Sequence, residues 1–546
     1  MKRLTKTVFL LMAVAMSFSF LLTGCTTPAK TTEPTTAPTS AAASAEATQE
    51  ATPAPTQEAL EPGKLVWLHM GPGASMPGNP MIAEALNKIT KERFNTEIEF
   101  VYIDWLDYVT QYNLKMASGE PMDLVYACSW LDVFPNALRG AYYELDDLLP
   151  KYAPKTWADV TPAQWDQCRG GANNKIIIMP KNNERETGAP GMFYRGDWAK
   201  EAGLTKDIAT IEELVQYWDF VKKNKQGVIP WNTSGNADSN QLLNMYMQFK
   251  TDYNSGLVGF GSYSILFGKS TEDPYTVVNI VNEPAYLDFA KLTKQWGDAG
   301  YWPEDLMGNS NNWYDMEQFV VGTSATYEHH ANEFFTRSVT MEKAFPGSDP
   351  RAFLYAEGRG EFGTGDLLDN GCAVSANTKD AARCLMIYDA FRFDRDLYNL
   401  SQYGIDGTHY TLTADGKRQD PEGYDSKKVG FDFSFWGLRS DNMYVPKADD
   451  WAGKQYWVDK IKLWQDNYKG NPYEGFTFDA SKLDNEMKAV NSTVTKWFPV
   501  IMFGKASGTP EEAVAAFSAE LKTSGIDKIV TELQAQLDAF KAKKAG

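Results

Sequence analysis

Positive charge is scarce in this sequence: 53 lysines and arginines stand against 71 aspartates and glutamates, for a formal net charge of −18 at pH 7. So acidic a chain lacks the basic patches that nucleic-acid phosphates require, which argues against that class of partner. Long apolar runs are nearly absent as well. The run from Val8 to Leu22 is short and soon interrupted, and nothing after it approaches the ~20 apolar residues that span a bilayer. Signatures of catalysis are missing too. His329 and His330 stand side by side rather than four apart, so there is no H-E-x-x-H zinc helix. Neither a G-x-S-x-G elbow nor a D-x-D-x-D-G calcium loop occurs. Gly358-Arg-Gly-Glu-Phe-Gly363 fits G-x-G-x-x-G, but no helix with a downstream ribose-binding acid follows, and it reads as a loop. With 71 acidic residues, some carboxylate pair will always look suited to glycoside hydrolysis, so abundance makes that sign worthless. No catalytic residue, cofactor or metal is therefore expected. Beyond Cys25, only Cys128, Cys168, Cys372 and Cys384 remain. They allow two disulfides in three pairings, or four free or buried thiols.

What is present begins with an export signal. Lys2, Arg3 and Lys6 precede the Val8 to Leu22 run, and small residues close it. Leu22-Thr23-Gly24-Cys25 resembles the lipobox of bacterial lipoproteins, which implies lipidation of Cys25 after removal of residues 1–24. Residues 26 to 62 are Thr, Ala, Pro, Ser and Glu with almost no large apolar side chain. Such a stretch cannot offset the entropy of ordering and is expected to be a tether. Its root-mean-square reach is about 35 Å. Lipid anchor and tether together span 25–62 and imply a folded body held at the extracellular face of a cell membrane. A tether of this length suits the thick wall of a Gram-positive host.

The body, 63 to 546, is long enough for two or three domains. Lys64 to Met70 is β-rich and largely hydrophobic, as a strand buried on both faces is. Asn79 and Pro80 start a helix with Ile82, Ala85, Leu86 and Ile89 on one face. A strand at Glu97 to Ile103, a helix presenting Trp105, Tyr108, Val109, Tyr112 and Met116, and a strand at Asp123 to Cys128 continue the alternation. Strand and helix in alternation predict an α/β lobe with a parallel sheet. Lys175 to Pro180 reads as another strand, the polar run 181 to 191 as a crossing between lobes, and a second α/β unit starts at Met192. Its helix carries a capping box at Thr210 and Glu213. Gly371 to Ala376 is a further strand, and an amphipathic helix with Ile526, Ile529, Val530, Leu533, Leu537 and Phe540 closes the chain.

These pieces carry a resemblance. Ile103 to Tyr108 with Met116 to Val125, Asn279 to Tyr301, Asp389 to Tyr410, Gly475 to Asp479 and Ile529 to Phe540 together resemble the large extracellular solute-binding lipoproteins of bacterial ABC importers, the group with a C-terminal domain of unknown function. The resemblance implies a periplasmic-binding-protein-like (type II) α/β fold, with two lobes joined by a hinge and a ligand cleft between them. It divides the chain into lobe 1 at 63–183 and 366–428, and lobe 2 at 184–365 and 429–546, the last with C-terminal helices. It also implies a monomer that captures a small molecule or oligosaccharide by hinge closure and delivers it to the transmembrane subunits of an ABC permease. Two rival readings are an exported polysaccharide-degrading enzyme and a surface sensor or adhesin that borrows the fold.

Sugar rings call for aromatic planes, and their hydroxyls for carboxylates, amides or guanidinium groups. Sixteen tryptophans and 27 tyrosines supply the planes, but most belong to cores. Ligands of open α/β sheets sit beyond the carboxyl ends of the strands. That rule selects His69, Asp104, Trp105, Ser129 and Trp130. Resemblance to carbohydrate receptors favours Trp130 and, in Phe435 to Arg439, Trp436 with Arg439. In the second lobe, Asn232 and Asn236 from the loop Trp231 to Asn240, and Tyr327, Glu328 and His329 after an expected strand at Val320 to Thr326, are further candidates. Glu184 and Arg185 lie in the proposed crossing.

Overall fold

The computed structural model describes residues 60–105, 108–182, 190–235, 241–253, 256–260, 263–309, 311, 314–355, 367–449, 454–466, 472–473, 476 and 478–545. The lipobox cysteine Cys25, its leader, and the tether as far as residue 59 lie outside them. Along the described chain run β1 (Gly63–Met70), α1 (Asn79–Phe94), β2 (Thr96–Ile103), α2 (Tyr108–Ser118), β3 (Leu124–Ala127) and β4 (Met179–Pro180). The chain then builds β5 (Pro190–Arg195), α3 (Ile211–Asn224), β6 (Thr326–His330), α4 (Ala331–Ala344) and β7 (Pro350–Leu354). It returns through β8 (Gly371–Val374) and α5 (Ala381–Phe393), and ends on α6 (Asp484–Met502), α7 (Pro510–Ser524) and α8 (Ile526–Ala545).

The first lobe is a five-stranded sheet in the order β2-β1-β3-β8-β4. Its opening βαβ units make β1 parallel to β2 and to β3, as the alternation predicts, while β8 runs antiparallel to both β3 and β4. The expected strand at Lys175 to Pro180 is broken. Lys175–Ile176 pairs in a hairpin with Arg169–Gly170, and only Met179–Pro180 joins the main sheet. Register then fixes what lies at one end. Gly371 faces both Ala127 and Pro180, and Met70 faces Ile103. The strand ends that lead into the candidate site therefore share an edge with the points where the chain leaves the lobe after Pro180 and re-enters before Gly371.

The core of this lobe is aromatic. Trp67 takes Phe391 and Phe435 edge-on at 5.1 and 5.3 Å. Phe433, Phe435 and Leu438 are buried in the same cluster as β1 and β3. The second segment of lobe 1 thus continues past 428, because the chain has apolar side chains to bury there, and residues 429–438 are not part of lobe 2. The return to lobe 2 falls between Val445 and Trp457, whose indole is buried against Phe193 and Phe335. Gly437 makes the fit possible. A Cβ there would lie 2.5 Å from the carbonyl oxygen of Gly371, so the Phe435–Leu438 turn seats directly on the start of β8.

The second lobe holds a three-stranded antiparallel sheet, β6-β5-β7, in which Pro190 faces His330 and Gly191 faces Leu354. β6 and β7 end where β5 begins, at the edge that meets the crossings. The expected capping box is present: Thr210 Oγ1 accepts the Glu213 N–H at 3.1 Å and the Glu213 carboxylate accepts the Thr210 N–H at 3.2 Å, an arrangement worth about 1 kcal/mol. The C-terminal helices belong to this lobe. Phe498, Phe503, Phe517, Leu533 and Leu537 join its main core, and the Trp302 indole donates to the Phe503 carbonyl at 3.0 Å. Among the described residues the four cysteines are buried and form no disulfide with one another, which rules out the two-disulfide alternative.

Candidate functional site

At the crossing edge of lobe 1, three tryptophans from distant parts of the sequence meet. Trp105 follows β2, Trp130 sits in the 3-10 turn Ser129–Leu131 after β3, and Trp436 lies in the turn on β8. Trp105 and Trp436 stack with centroids 5.7 Å apart and planes 9° from parallel. Trp130 closes the group, 6.2 Å from Trp105, with Tyr108 edge-on to both at 5.6 and 5.7 Å. All four rings are half-buried. Each ring of this floor keeps part of its surface exposed.

Polar contacts surround these rings. The Trp130 indole donates to the Asp369 carbonyl at 2.7 Å. Asp369, just before β8, receives Lys181 Nζ on its two carboxylate oxygens at 2.9 and 3.0 Å, and the lysine side chain is only 4% exposed. This ion pair ties the first crossing strand to the second. Gly71, at φ +92°, lets β1 pass beneath the floor, since a Cβ there would touch Ser434 Oγ and Trp105 at 3.1 and 3.4 Å. Asn79 donates to the Asp432 carbonyl at 2.6 Å and accepts the Asp432 N–H at 2.9 Å, which orients the strand leading to Trp436. Asp432 is half-buried, and desolvation raises its carboxyl pKa although the Ser434 hydrogen bonds and then the Arg439 guanidinium oppose the shift. Asp104 and Ser129 are exposed beside the floor, and Arg439 is half-buried.

His69 is not part of this surface. It lies inside β1 rather than after it, 2% exposed, with Phe435 edge-on at 4.5 Å and Trp67 at 5.2 Å. Burial lowers its pKa to about 3. The folded chain holds the ring neutral down to that pH, whereas the unfolded chain protonates it near 6.5. Its contribution is therefore intact above 6.5 and declines by up to ~1.4 kcal/mol per pH unit as the pH falls toward 3. A His69→Phe variant should lose that dependence, so denaturation midpoints of parent and variant measured from pH 7 to 4.5 should converge or cross. Parallel curves would contradict the assignment.

In lobe 2 the expected strand at Val320 to Thr326 is instead the end of a helix (Tyr314–Val320) and a turn, and the strand is β6 itself. Tyr327, Glu328 and His329 thus lie within an edge strand and alternate across it. Tyr327 packs on one face with Phe319 and Phe334, fully buried in a core cluster, and so is no surface contact. Glu328 faces the other way, opposite Met192 and level with Phe353, so Tyr355, two residues beyond Phe353, shares its face. His329 is half-buried with its ring 4.3 Å from His330; burial keeps its pKa well below the usual value, and His330 and Arg337 add to the shift.

Around Glu328 gathers a buried polar patch. Asp315 Oδ2 accepts the Trp231 indole N–H at 3.1 Å and the Glu328 N–H at 3.2 Å. Ser324 Oγ accepts the Asn232 N–H at 2.8 Å. Among the described residues, the buried Asn232 Oδ1, Thr233 Oγ1 and Tyr355 Oη find no hydrogen-bond partner. Such groups cost on the order of 1–3 kcal/mol each unless something satisfies them. The Tyr355 hydroxyl pKa is raised by burial first, then by the Glu328 and Asp315 carboxylates. Of the residues selected from sequence, the fold brings Asp104, Trp105, Ser129, Trp130, Trp436 and Arg439 to one edge, and Asn232 and Glu328 to another, with His329 on the opposite face of β6 beside Tyr327. Glu184, Arg185 and Asn236 lie outside the described residues, as does the Gly358 to Gly363 loop. Thr233, Asp315 and Tyr355 had no sequence signal.

Comparison with known proteins fits this geometry. A family model described as "Bacterial extracellular solute-binding protein" matches residues 84–388, and one described as "Domain of unknown function (DUF3502)" matches 472–542. A carbohydrate ABC transporter substrate-binding protein of Streptococcus pneumoniae serotype 4 is 22% identical over 465 residues, covering 84% of this chain and 87% of that protein. The polygalacturonan/rhamnogalacturonan-binding protein YtcQ of Bacillus subtilis is 25% identical over 378 residues, covering 64% and 68%. The crystal structure of the N-glycan transport solute binding protein NgtS from Streptococcus pneumoniae superposes with a TM-score of 0.71 at 17% identity, over 89% of this chain and 100% of that one. That last likeness establishes the two-lobed solute-binding fold.

Proposed function

The chain belongs to the bacterial extracellular solute-binding proteins, and from that premise we propose that it captures an oligosaccharide outside the cell membrane and delivers it to an ABC importer. The observation that carries the reading is the aromatic floor of Trp105, Trp130 and Trp436 at the edge where the chain crosses between lobes. Stacked indoles there take the apolar faces of sugar rings. Asp104, Ser129 and Arg439 stand beside them for hydroxyls, and Asn232 and Glu328 supply the opposing jaw. The lobes then act as two bodies on a hinge. Ligand contacts from both jaws stabilise the closed state and shift a pre-existing equilibrium toward it. The protein performs no chemistry on the sugar; it works as a monomer, anchored through Cys25 and its tether, and its partner is the transmembrane permease.

A thermal-shift screen of the purified chain against oligosaccharides, followed by chromatography of each mixture, tests this. A ligand at a hundred times its Kd should add about 2.7 kcal/mol of stability, with the sugar recovered intact. Shortened sugar would turn the reading to the enzyme, and silence across the panel would overturn oligosaccharide capture. Deletion of the permease should abolish uptake and leave binding unchanged.

A further inference from the structure

Resting on that reading, we infer that Asn79, Asp432 and Ser434 are positioning residues of the capture site, a clasp that holds the stacked pair Trp105 and Trp436 in place before any sugar arrives. Asn79 and Ser434 are 4% and 2% exposed, so neither is a ligand contact. The clasp joins two distant parts of the chain. Asn79 opens α1, and Gly78 just before it donates its N–H to the Gly430 carbonyl at 2.9 Å, which docks the helix start on the segment leading to Trp436. From there the Asn79 amide reaches across 353 positions. It donates to the Asp432 carbonyl and accepts the Asp432 N–H, and it also donates to the Gly73 carbonyl at 2.9 Å and to Tyr102 Oη at 3.2 Å. Asp432 in turn accepts the Ser434 N–H at 2.7 Å and the Ser434 hydroxyl at 3.1 Å on one carboxylate oxygen. These bonds hold Ser434 at φ +50°, a left-handed conformation that a side chain adopts only at a cost.

Two features tie this knot to the floor rather than to the fold at large. Phe435 and Trp436 follow Ser434 directly, so the backbone angle at Ser434 sets the course of the turn that carries the second indole. The Ser434 hydroxyl also lies against Gly71, where an added Cβ would stand 3.1 Å from it and 3.4 Å from the Trp105 ring. Both stacked rings thus rest on one polar knot. A similar device recurs at the third indole: Asp132, two residues beyond Trp130, is left-handed at φ +53°, and its carboxylate accepts the Asn113 amide at 2.8 Å. Turns fixed in advance spare the ligand the cost of ordering them.

The test pairs hydrogen exchange of the ligand-free chain with titration by two probes, a neutral mannose-containing oligosaccharide and an oligogalacturonate. Ser434→Gly removes the hydroxyl, and glycine takes φ +50° freely, so the denaturation midpoint should stay close to the parent's. Amide exchange over 431–438 should quicken, and affinity for whichever probe binds the parent should fall about fivefold. Asp432→Ala should cost about tenfold, and Asp432→Asn, which keeps an acceptor oxygen for both Ser434 donors, should recover most of it. In the Trp436→Ala background, Ser434→Gly should change affinity by less than about twofold, because the stack it positions is already gone. Asn174→Gly is the control: that residue is left-handed at the same angle but lies in the hairpin Arg169–Ile176, and affinity should not change. Unchanged exchange or affinity in Ser434→Gly, losses that add in the double variant, or a fall in affinity matched by a fall in midpoint overturns the inference and leaves the receptor reading standing. Silence of both probes against the parent overturns oligosaccharide capture itself, and this inference with it.

Discussion

Replacing Trp436 by alanine should weaken ligand capture by roughly thirtyfold or more, about 2 kcal/mol, the loss expected of a buried aromatic anchor at the centre of a binding surface. The reason is geometric. Trp436 stacks on Trp105 within 9° of parallel, and Tyr126 meets it edge-on at 6.0 Å, so removing it leaves Trp105 unsupported as well as removing a face. Trp436→Phe keeps a plane and should recover a large part of the affinity. Stability should change little by comparison, because the ring is half-buried while its neighbours Phe435 and Leu438 carry the core contacts. Titration calorimetry paired with denaturation separates the two effects. A variant that binds normally would remove Trp436 from the floor, and one that loses binding and stability in equal measure would make it a core residue.

The floor was partly legible because it follows the strand-end rule. Trp105 and Trp130 come directly after runs of apolar, β-rich residues, and the βαβ alternation tells which end of each run meets the ligand. Trp436 is different. It follows no strand of its own, and the chain crosses back later than residue 428, where the resemblance ends the second segment of lobe 1. Only the burial of Phe433 and Phe435 against β1 reveals this. His69 failed for the opposite reason. The apolar run reads to Met70, and a polar residue at its last turn looks like the beginning of a loop. In the fold, register with Tyr102 keeps the imidazole inside the sheet, under the Phe435 ring.

The lobe 2 patch shows where local reading ends. Glu328 stands out in sequence as an acid beside two histidines, yet what places it is a strand pairing with Met192 across more than a hundred residues. Asp315 is recruited by Trp231, 84 positions away, and Tyr355 reaches Glu328 only through the shared partner strand β5. Contacts of that span leave no periodicity to read. They are set by β-pairing and by which face of a strand each side chain takes, and a shift of one residue would reverse them.

The hinge root should be the most sensitive point in the molecule. Arg392 is fully buried in α5, and its guanidinium donates to Asp159 Oδ2 at 2.9 Å, to the Pro180 carbonyl at 2.7 Å and to Tyr388 Oη at 3.3 Å. Pro180 is the last residue of β4, where the first crossing leaves lobe 1, and Asn182 and Asn442 reach back to Asp159 at 3.4 and 3.3 Å. Arg392→Met should therefore destabilise the protein by about 3–5 kcal/mol, because it strands a carboxylate that is 11% exposed together with a buried carbonyl. Arg392→Lys keeps the charge but not the fork that spans both acceptors, and should lose an intermediate amount. Adding Asp159→Leu to Arg392→Met removes the stranded charge and should restore part of the loss, a coupling that a double-mutant cycle reads directly. Lys64 and Glu99 are the control: their side chains are 59% and 50% exposed, and Lys64→Met should leave stability nearly unchanged. Equal losses at the two sites would mean that burial does not set the strength of these pairs, and that the first crossing is held by something other than Arg392.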